Sequence, residues 1–182
     1  MFKKIKKKFS ENFGKNSTFS RKMRILFSAH SLPVSIIKSG DPYQWQVQQT
    51  VLSIMNGIKG AEDHVLCYQS KVTPVKWLEP STPDEIKKAV QDDVAIIIVP
   101  IAFVSDHSET LVELDIEYKE LADKNGCKNY SRVPALGTNE NYIKAMSNLI
   151  IKKQNYNFNG ELYPPKTRCP NQFKKCPCLS YE

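Results

Sequence analysis

The sequence lacks any apolar run near the roughly 18 residues that a membrane-spanning helix needs, and it lacks a secretory hydrophobic region. We therefore expect neither a membrane span nor a secretory signal. It has five cysteines, an odd number, three of them crowded near the carboxyl end. Without a secretory signal, that pattern favours reduced thiols or a metal site over a disulfide framework.

A positive net charge is absent from most of the chain, although the formal net charge of the whole is +7. Residues 1 to 24 hold nine Lys or Arg and one Glu, which gives +8 and leaves −1 for the remainder. The chain is thus a basic arm on a nearly neutral domain, and nucleic acid is not an expected partner. Its 182 residues, 41% of them hydrophobic, suit one globular domain.

The leader, residues 1 to 23, has apolar residues at roughly helical spacing: Phe2, Ile5, Phe9 and Phe13. Three interpretations remain open. It can be a basic amphipathic helix that makes peripheral contact with an anionic membrane, or a solvated or disordered leader. It can also be a mitochondrial presequence, although lysine outnumbers arginine here.

Strand and helix patterns alternate from residue 24 to residue 153. β-Branched apolar runs predict strands, and amphipathic or capped stretches predict helices between them. The predicted strands cover 24–30, 64–71, 94–102 and 130–136, the last an edge strand because it contains proline. The expected fold is α/β, a single Rossmann-like lobe with a four-stranded parallel sheet flanked by helices. The final helix, 139–153, should turn Tyr142, Ile143, Met146 and Ile150 inward.

The strand 94–102 leads into an acidic helix. Ser105 and Asp106 are cap-type residues, and the predicted apolar stripe is Leu111, Leu114, Tyr118 and Leu121. Another face carries Glu109, Glu113 and Glu117, whose like charges at this spacing oppose helix formation. The face is either simply solvated or supplied with cations.

Histidines follow two of the strands. His30 ends the first strand, and His107 lies with Asp106 beyond the third, at the edge where open α/β sheets bind ligands. A lone histidine in such a place can be structural or catalytic.

Several motifs around these residues resemble ferrochelatase, the enzyme that inserts ferrous iron into protoporphyrin IX. They are Leu-Phe-Ser-Ala-His-Ser-Leu-Pro, Gly-Asp-Pro-Tyr, Tyr-Gln-Ser-Lys-Val, Trp-Leu-x-Pro-x-Thr and Phe-Val-Ser-Asp-His-Ser-Glu-Thr-Leu-Val-Glu-Leu-Asp-Ile-Glu-Tyr. The resemblance runs from about Arg24 to Lys153 and implies catalytic and iron-binding roles for His30 and Glu109. It implies a proton or metal relay along Glu113, Asp115 and Glu117, and a porphyrin cleft lined by Ser70, Lys71 and Trp77.

The tail, residues 154 to 182, contains Cys169, Cys176 and Cys178 in a C-x6-C-x-C pattern. The pattern alone leaves zinc, an iron–sulfur cluster and free thiols open. The tail is similar to that of bacterial ferrochelatases with a two-iron two-sulfur cluster, whose fourth cysteine comes from the amino-terminal half. Neither Cys67, in a predicted strand, nor Cys127 occupies that position.

The resemblance covers only the carboxyl-terminal lobe of a family whose members have two lobes. It implies a half-length ferrochelatase of haem biosynthesis, a nitrogen–metal lyase that needs a complementary amino-terminal lobe or a homodimer. The alternative is a non-catalytic remnant that binds iron, haem or a partner protein. The expected location is the bacterial cytoplasm, with peripheral membrane contact, or the mitochondrion in a eukaryote.

Overall fold

A computed structural model describes residues 3–5, 7, 11, 23–58, 63–154 and 169–176, with side chains of the last helix described to Ile151. Cys178 and the leader residues Phe2, Phe9 and Phe13 lie outside these ranges.

Four strands form one parallel sheet in the order β2-β1-β3-β4. Their bounds are β1 Met23–His30, β2 His64–Gln69, β3 Ala95–Pro100 and β4 Tyr130–Arg132. The last strand is the edge strand and ends before Pro134, which has no N–H for a ladder. The predicted single α/β lobe is confirmed.

Helices connect the strands and cover both faces of the sheet. Their bounds are α1 Val34–Lys38, α2 Tyr43–Met55, α3 Thr82–Gln91, α4 Ser108–Leu111, a π-helical turn Glu113–Glu117, α5 Tyr118–Lys124 and α6 Glu140–Gln154.

The two faces of the sheet carry separate hydrophobic cores. Ile25 and Phe27 of β1 pack on the α2 side with Val47 and Val51, and all four are buried. On the other side the core includes residues of β1, α3 and α5: Leu26, Ile86, Ala89 and Ala122. Because successive strand residues point to opposite faces, β1 supplies both cores. That explains why Ile25, Leu26 and Phe27 form a continuous apolar run with no alternation.

Part of the leader packs on the lobe. Its described residues are helical, and Ile5 is fully buried in the core on the α2 side. Lys4 Nζ donates hydrogen bonds to the carbonyl oxygens of Pro134 and Ala135, just beyond β4. These contacts join the leader to the lobe and cover Ile5 with protein.

The acidic helix differs from its prediction. His107, and neither Ser105 nor Asp106, caps α4, and the stripe residue Leu111 is 47% exposed. The cause is the π-helical turn, where Glu117 N–H donates to the carbonyl oxygen of Val112, five residues back. The extra residue rotates the upstream positions, so that Thr110 is buried instead.

The last helix was also predicted wrongly in one respect. Ile143, Met146 and Ile150 were expected to point inward, but all three are exposed, and Ile150 is 61% exposed. Leu149 and Ile151 are exposed as well, whereas Tyr142 is half-buried. The apolar face of α6 is therefore uncovered by the rest of the described chain.

Among the described residues, no helix has the length and apolar character needed to cross a bilayer.

Candidate functional site

The site lies where β1 and β2 end side by side. His30 is the last residue of β1 and pairs in register with Gln69, the last residue of β2. A cavity of about 610 Å³ opens there. It brings together six residues that the sequence pointed to: His30, Ser70, Lys71, Glu109, Glu113 and Glu117.

His30 and Glu109 face each other across this cavity, with Nε2 of the imidazole 3.5 Å from Oε2 of the carboxylate. The other ring nitrogen, Nδ1, lies 2.7 Å from the carbonyl oxygen of Ser31. Because a carbonyl only accepts hydrogen bonds, Nδ1 carries the proton and Nε2 presents its lone pair to Glu109 in the neutral ring. The strand end is held by Tyr43, whose hydroxyl donates to the His30 carbonyl oxygen at 2.9 Å.

Glu113 receives hydrogen bonds from neutral groups. Its carboxylate accepts from the Ser70 N–H at 2.7 Å, the Ser70 hydroxyl, Gln69 Nε2 at 2.9 Å and the Tyr118 hydroxyl at 2.6 Å. Ser70 has a left-handed backbone, with φ of 62°, which turns its N–H toward the carboxylate. Burial and the Glu113 carboxylate both raise the pKa of Tyr118, so it stays a hydrogen-bond donor. The described partners of Glu113 are thus neutral donors and not the cations considered for the acidic face.

Asp115 is not among the residues that line the cavity, unlike Glu113 and Glu117. The guanidinium of Arg132 binds Asp115 through Nε at 2.6 Å and Nη2 at 2.7 Å, and it also binds Asp106 at 2.8 Å. Hydrogen bonding to Asp115 raises the pKa of Arg132. This ion-pair network ties the π-helical turn and the β3–α4 loop to β4.

The remaining predicted residues are divided between the cavity and its surroundings. Lys71 lines the cavity, but its ammonium group pairs with Glu79 at 2.5 Å. Trp77 is not among the lining residues, and its indole N–H donates to the Thr73 carbonyl oxygen at 2.8 Å. His107 is exposed, and its Nδ1 accepts from the Glu109 N–H at 3.3 Å, which orients the start of α4.

The described tail docks on the start of α2. Lys175 N–H donates to the Gly40 carbonyl oxygen at 3.1 Å, and Trp45 contacts Phe173 with ring centroids 5.9 Å apart. Cys169 and Cys176 are buried, and Gln46 Nε2 donates to Cys169 Sγ at 3.4 Å. The described ranges contain no group of three His, Cys, Asp or Glu that can hold a metal ion. Of the three tail cysteines, the described ranges contain Cys169 and Cys176.

The other cysteines stay apart from the tail. Cys67 is fully buried in the core on the α3 side, and burial raises the pKa of its thiol to about 12. Cys127 packs against the same core, and burial raises its pKa as well. Cys67 is thus a small core residue of the predicted strand.

Two residues of the site were not identified as such from sequence. Gln69 was read only as part of a strand, although a polar residue ending a buried strand is a signal for the ligand edge. Tyr118 was read as a core residue, and it is one, but its hydroxyl also reaches Glu113.

Comparison with known proteins agrees with this geometry. The family model "Ferrochelatase" matches residues 1–154, including the leader, which lies before the resemblance noted in the motifs. A ferrochelatase of Pelagibacter ubique is 61% identical over 163 residues, covering 89% of this chain and 47% of that protein. A ferrochelatase of Rickettsia prowazekii is 48% identical, covering 90% of this chain and 48% of that protein. The chain thus spans about half the length of these curated relatives.

A solved structure supports the fold assignment. A protein of Marinobacter aquaeolei VT8, assigned to cobalamin (vitamin B12) biosynthesis as CbiX, aligns with a TM-score of 0.50 at 15% identity. The alignment covers 72% of this chain and 97% of that one. At this identity the likeness shows the fold alone.

Proposed function

Because the chain belongs to the ferrochelatase family, we propose that it forms one lobe of a two-lobed ferrochelatase. In this proposal His30 and Glu109 serve the insertion of ferrous iron into protoporphyrin IX, which yields protohaem. The observation that supports it most is the facing pair, Nε2 of His30 and Oε2 of Glu109, 3.5 Å apart in a cavity at the ligand edge of the sheet.

The reaction needs groups that accept protons and groups that bind the metal ion, and this pair can do both. Two pyrrole N–H groups each lose a proton, and the ferrous ion exchanges water ligands for the four ring nitrogens. The Nε2 lone pair and the Glu109 carboxylate are two acceptors in one gap, and either a proton or a divalent metal ion joins such groups. The bond from Nδ1–H to a backbone carbonyl is also the usual outer contact of a metal-binding histidine.

The acidic wall extends this chemistry. Glu113 and Glu117 line the same cavity as Glu109 and add negative charge to it. Negative charge concentrated in a cleft attracts divalent cations and gives released protons acceptors. We assign the relay to these two residues and leave Asp115 out, since Arg132 holds its carboxylate.

The missing partner is a second α/β lobe, equivalent to the half of the relatives that this chain does not match. The exposed apolar face of α6, formed by Ile143, Met146, Leu149, Ile150 and Ile151, is the surface proposed to receive it. Contiguous exposed apolar side chains are typical of protein interfaces. The second lobe would also supply the other wall of the porphyrin cleft.

The tail thiols are proposed to bind a two-iron two-sulfur cluster. Cys169 and Cys176 are held in a buried segment on α2, and Cys178 follows two residues later. Such a cluster takes four protein ligands, so the fourth cysteine would come from the second lobe. When bound, the cluster would supply a one-electron redox centre, and its cysteine ligands would link the two lobes.

A second candidate function rests on the half-length chain. A remnant that binds iron, haem or a partner protein without turnover would keep the same fold. The two candidates differ in whether binding of a second lobe leads to metal insertion.

Reconstitution distinguishes these candidates. The chain is assayed for zinc and ferrous iron insertion alone and with the unmatched half of the Pelagibacter ubique relative as a separate polypeptide. We expect little or no insertion by the chain alone, because positioning contributes several kcal/mol to such reactions. We expect insertion when a complex forms. Ile150→Lys should weaken the complex, and the matched variant Asn148→Lys, at an exposed polar position of α6, should not.

Two results would contradict the proposal. Robust turnover by the chain alone would refute the need for a second lobe. A stable complex without turnover would favour the non-catalytic remnant.

A further inference from the structure

Gln69 is almost completely buried, at 1% exposure, and both polar atoms of its side chain have hydrogen-bond partners. The Ser28 hydroxyl donates to Oε1 at 2.8 Å. Ser28 Oγ also lies 2.8 Å from Thr82 Oγ1. These contacts within the sheet and α3 fix which end of the amide points toward the cavity.

The other end of the amide reaches the acidic wall. Nε2 donates to the Glu109 carbonyl oxygen at 2.8 Å and to Glu113 Oε2 at 2.9 Å. A carboxamide nitrogen has two hydrogens, and both are thereby used. One side chain of the sheet therefore holds the backbone of Glu109 and the carboxylate of Glu113.

This anchor matters because Glu109 lies at the start of its helical segment. α4, Ser108–Leu111, is the first turn of a stretch that continues through the π-helical turn into α5, and an exposed loop, residues 104–107, leads into it. His30 lies on the rigid sheet, in register with Gln69. The distance between His30 and Glu109 thus depends on what ties α4 to the end of β2.

We infer that Gln69 is a positioning residue that sets the Glu109 carboxylate opposite His30. The inference rests on the proposed function only in taking that pair as the metal-binding site. A leucine at position 69 would leave the Ser28 hydroxyl, the Glu109 carbonyl and the Glu113 carboxylate without their buried partner. Loss of such an outer contact typically weakens metal binding about 10–100-fold.

Cobalt(II) binding by the full chain tests this inference. Cys169, Cys176 and Cys178 are replaced by serine in every protein, so that visible absorption reports imidazole and carboxylate ligands without thiolates. We expect Gln69→Leu to weaken binding about 10-fold or more. Ser28→Ala, which frees the amide to rotate, should weaken it less but in the same direction. Tyr130→Phe is the matched control, since its hydroxyl donates to the Leu114 carbonyl oxygen on the same helical segment and neither residue lines the cavity.

The outcomes separate this inference from the proposed function. Unchanged cobalt affinity in His30→Ala would overturn the metal site itself. A loss in His30→Ala with unchanged affinity in Gln69→Leu would overturn the role of Gln69 alone. If Gln69→Leu does not fold, unchanged affinity in a folded Ser28→Ala protein has the same meaning. Equal weakening by Tyr130→Phe would reduce the effect to general destabilisation and also contradict the inference.

Discussion

Replacing Asp115 by asparagine separates the structural role seen here from the relay role that the sequence indicated. The carboxylate makes two hydrogen bonds with Arg132, whose side chain is 10% exposed. Asparagine keeps the shape but removes the charge and one acceptor. The guanidinium would then keep Asp106, 2.8 Å away, as its charged partner.

The expected loss of stability lies between two limits. Removing one partner of a fully buried ion pair costs about 3–5 kcal/mol, whereas exposed pairs contribute about 0–1 kcal/mol. Arg132 is nearly buried, but Asp115 is 38% exposed and Asp106 remains. We therefore expect about 2 kcal/mol. For a domain of this size, that lowers the melting temperature by about 4–8 °C.

Urea and thermal unfolding of the full chain measure this loss. Asp123→Asn is the control, because Asp123 pairs with Lys119 at the surface and both are about half exposed. Its loss should be below about 1 kcal/mol. Unchanged stability in Asp115→Asn, together with weaker cobalt binding at the His30–Glu109 pair, would refute the reasoning and restore Asp115 to the relay.

Two further predictions concern the cysteines. Burial raises the pKa of both Cys67 and Tyr43 to about 12, so stability should be complete below the unfolded thiol pKa of about 8.5 and decline as pH rises above it. Urea unfolding between pH 8 and pH 11 checks this. Cys67→Ala should reduce the decline below the tyrosine range near pH 10 without abolishing it, because burial also raises the pKa of Cys127; a flat profile would contradict the prediction. In anaerobic reconstitution, the chain alone should hold a labile cluster or none, and a complex with the second lobe should hold a stable one that Cys176→Ser removes and Cys127→Ser does not. Equal, stable clusters with and without the lobe would place the fourth ligand in this chain, and full zinc occupancy without iron uptake would indicate a structural zinc site.

The sheet could be predicted because its strands have a distinct composition. β3 is short, β-branched and apolar, and β1 has the apolar run Ile25-Leu-Phe27 at its centre, as expected of strands buried between two helical layers. The position of His30 at the ligand edge follows from that placement, since parallel strands end at the same edge.

The acidic helix shows what the pattern left out. A π-helical turn has no clear sequence signature, and regular helical periodicity assigned Leu111 to the core, although it is 47% exposed. The relay role of Asp115 follows from the family resemblance and not from the periodicity. With the extra residue of the π-helical turn, Thr110 is buried in place of Leu111, and the Asp115 carboxylate pairs with Arg132. Glu109, Glu113 and Glu117 still reached one cavity.

The last helix shows a different limit. Its periodicity identified an apolar face, but periodicity does not say which surface covers that face. Ile143 and Ile150 are exposed because the rest of the described chain does not reach them.

The central claim is that the His30–Glu109 pair performs metal insertion in a two-lobed enzyme, and Glu109→Gln in the reconstituted complex tests it most directly. This change keeps the shape of Glu109 and removes its charge, so folding and lobe binding should survive. The rate of zinc insertion per folded complex should fall about 100-fold or more, while Glu117→Gln, further along the same wall, should lower it much less. An undiminished rate per folded Glu109→Gln complex, with lowered thermal stability, would show that Glu109 only supports the structure and would contradict the claim.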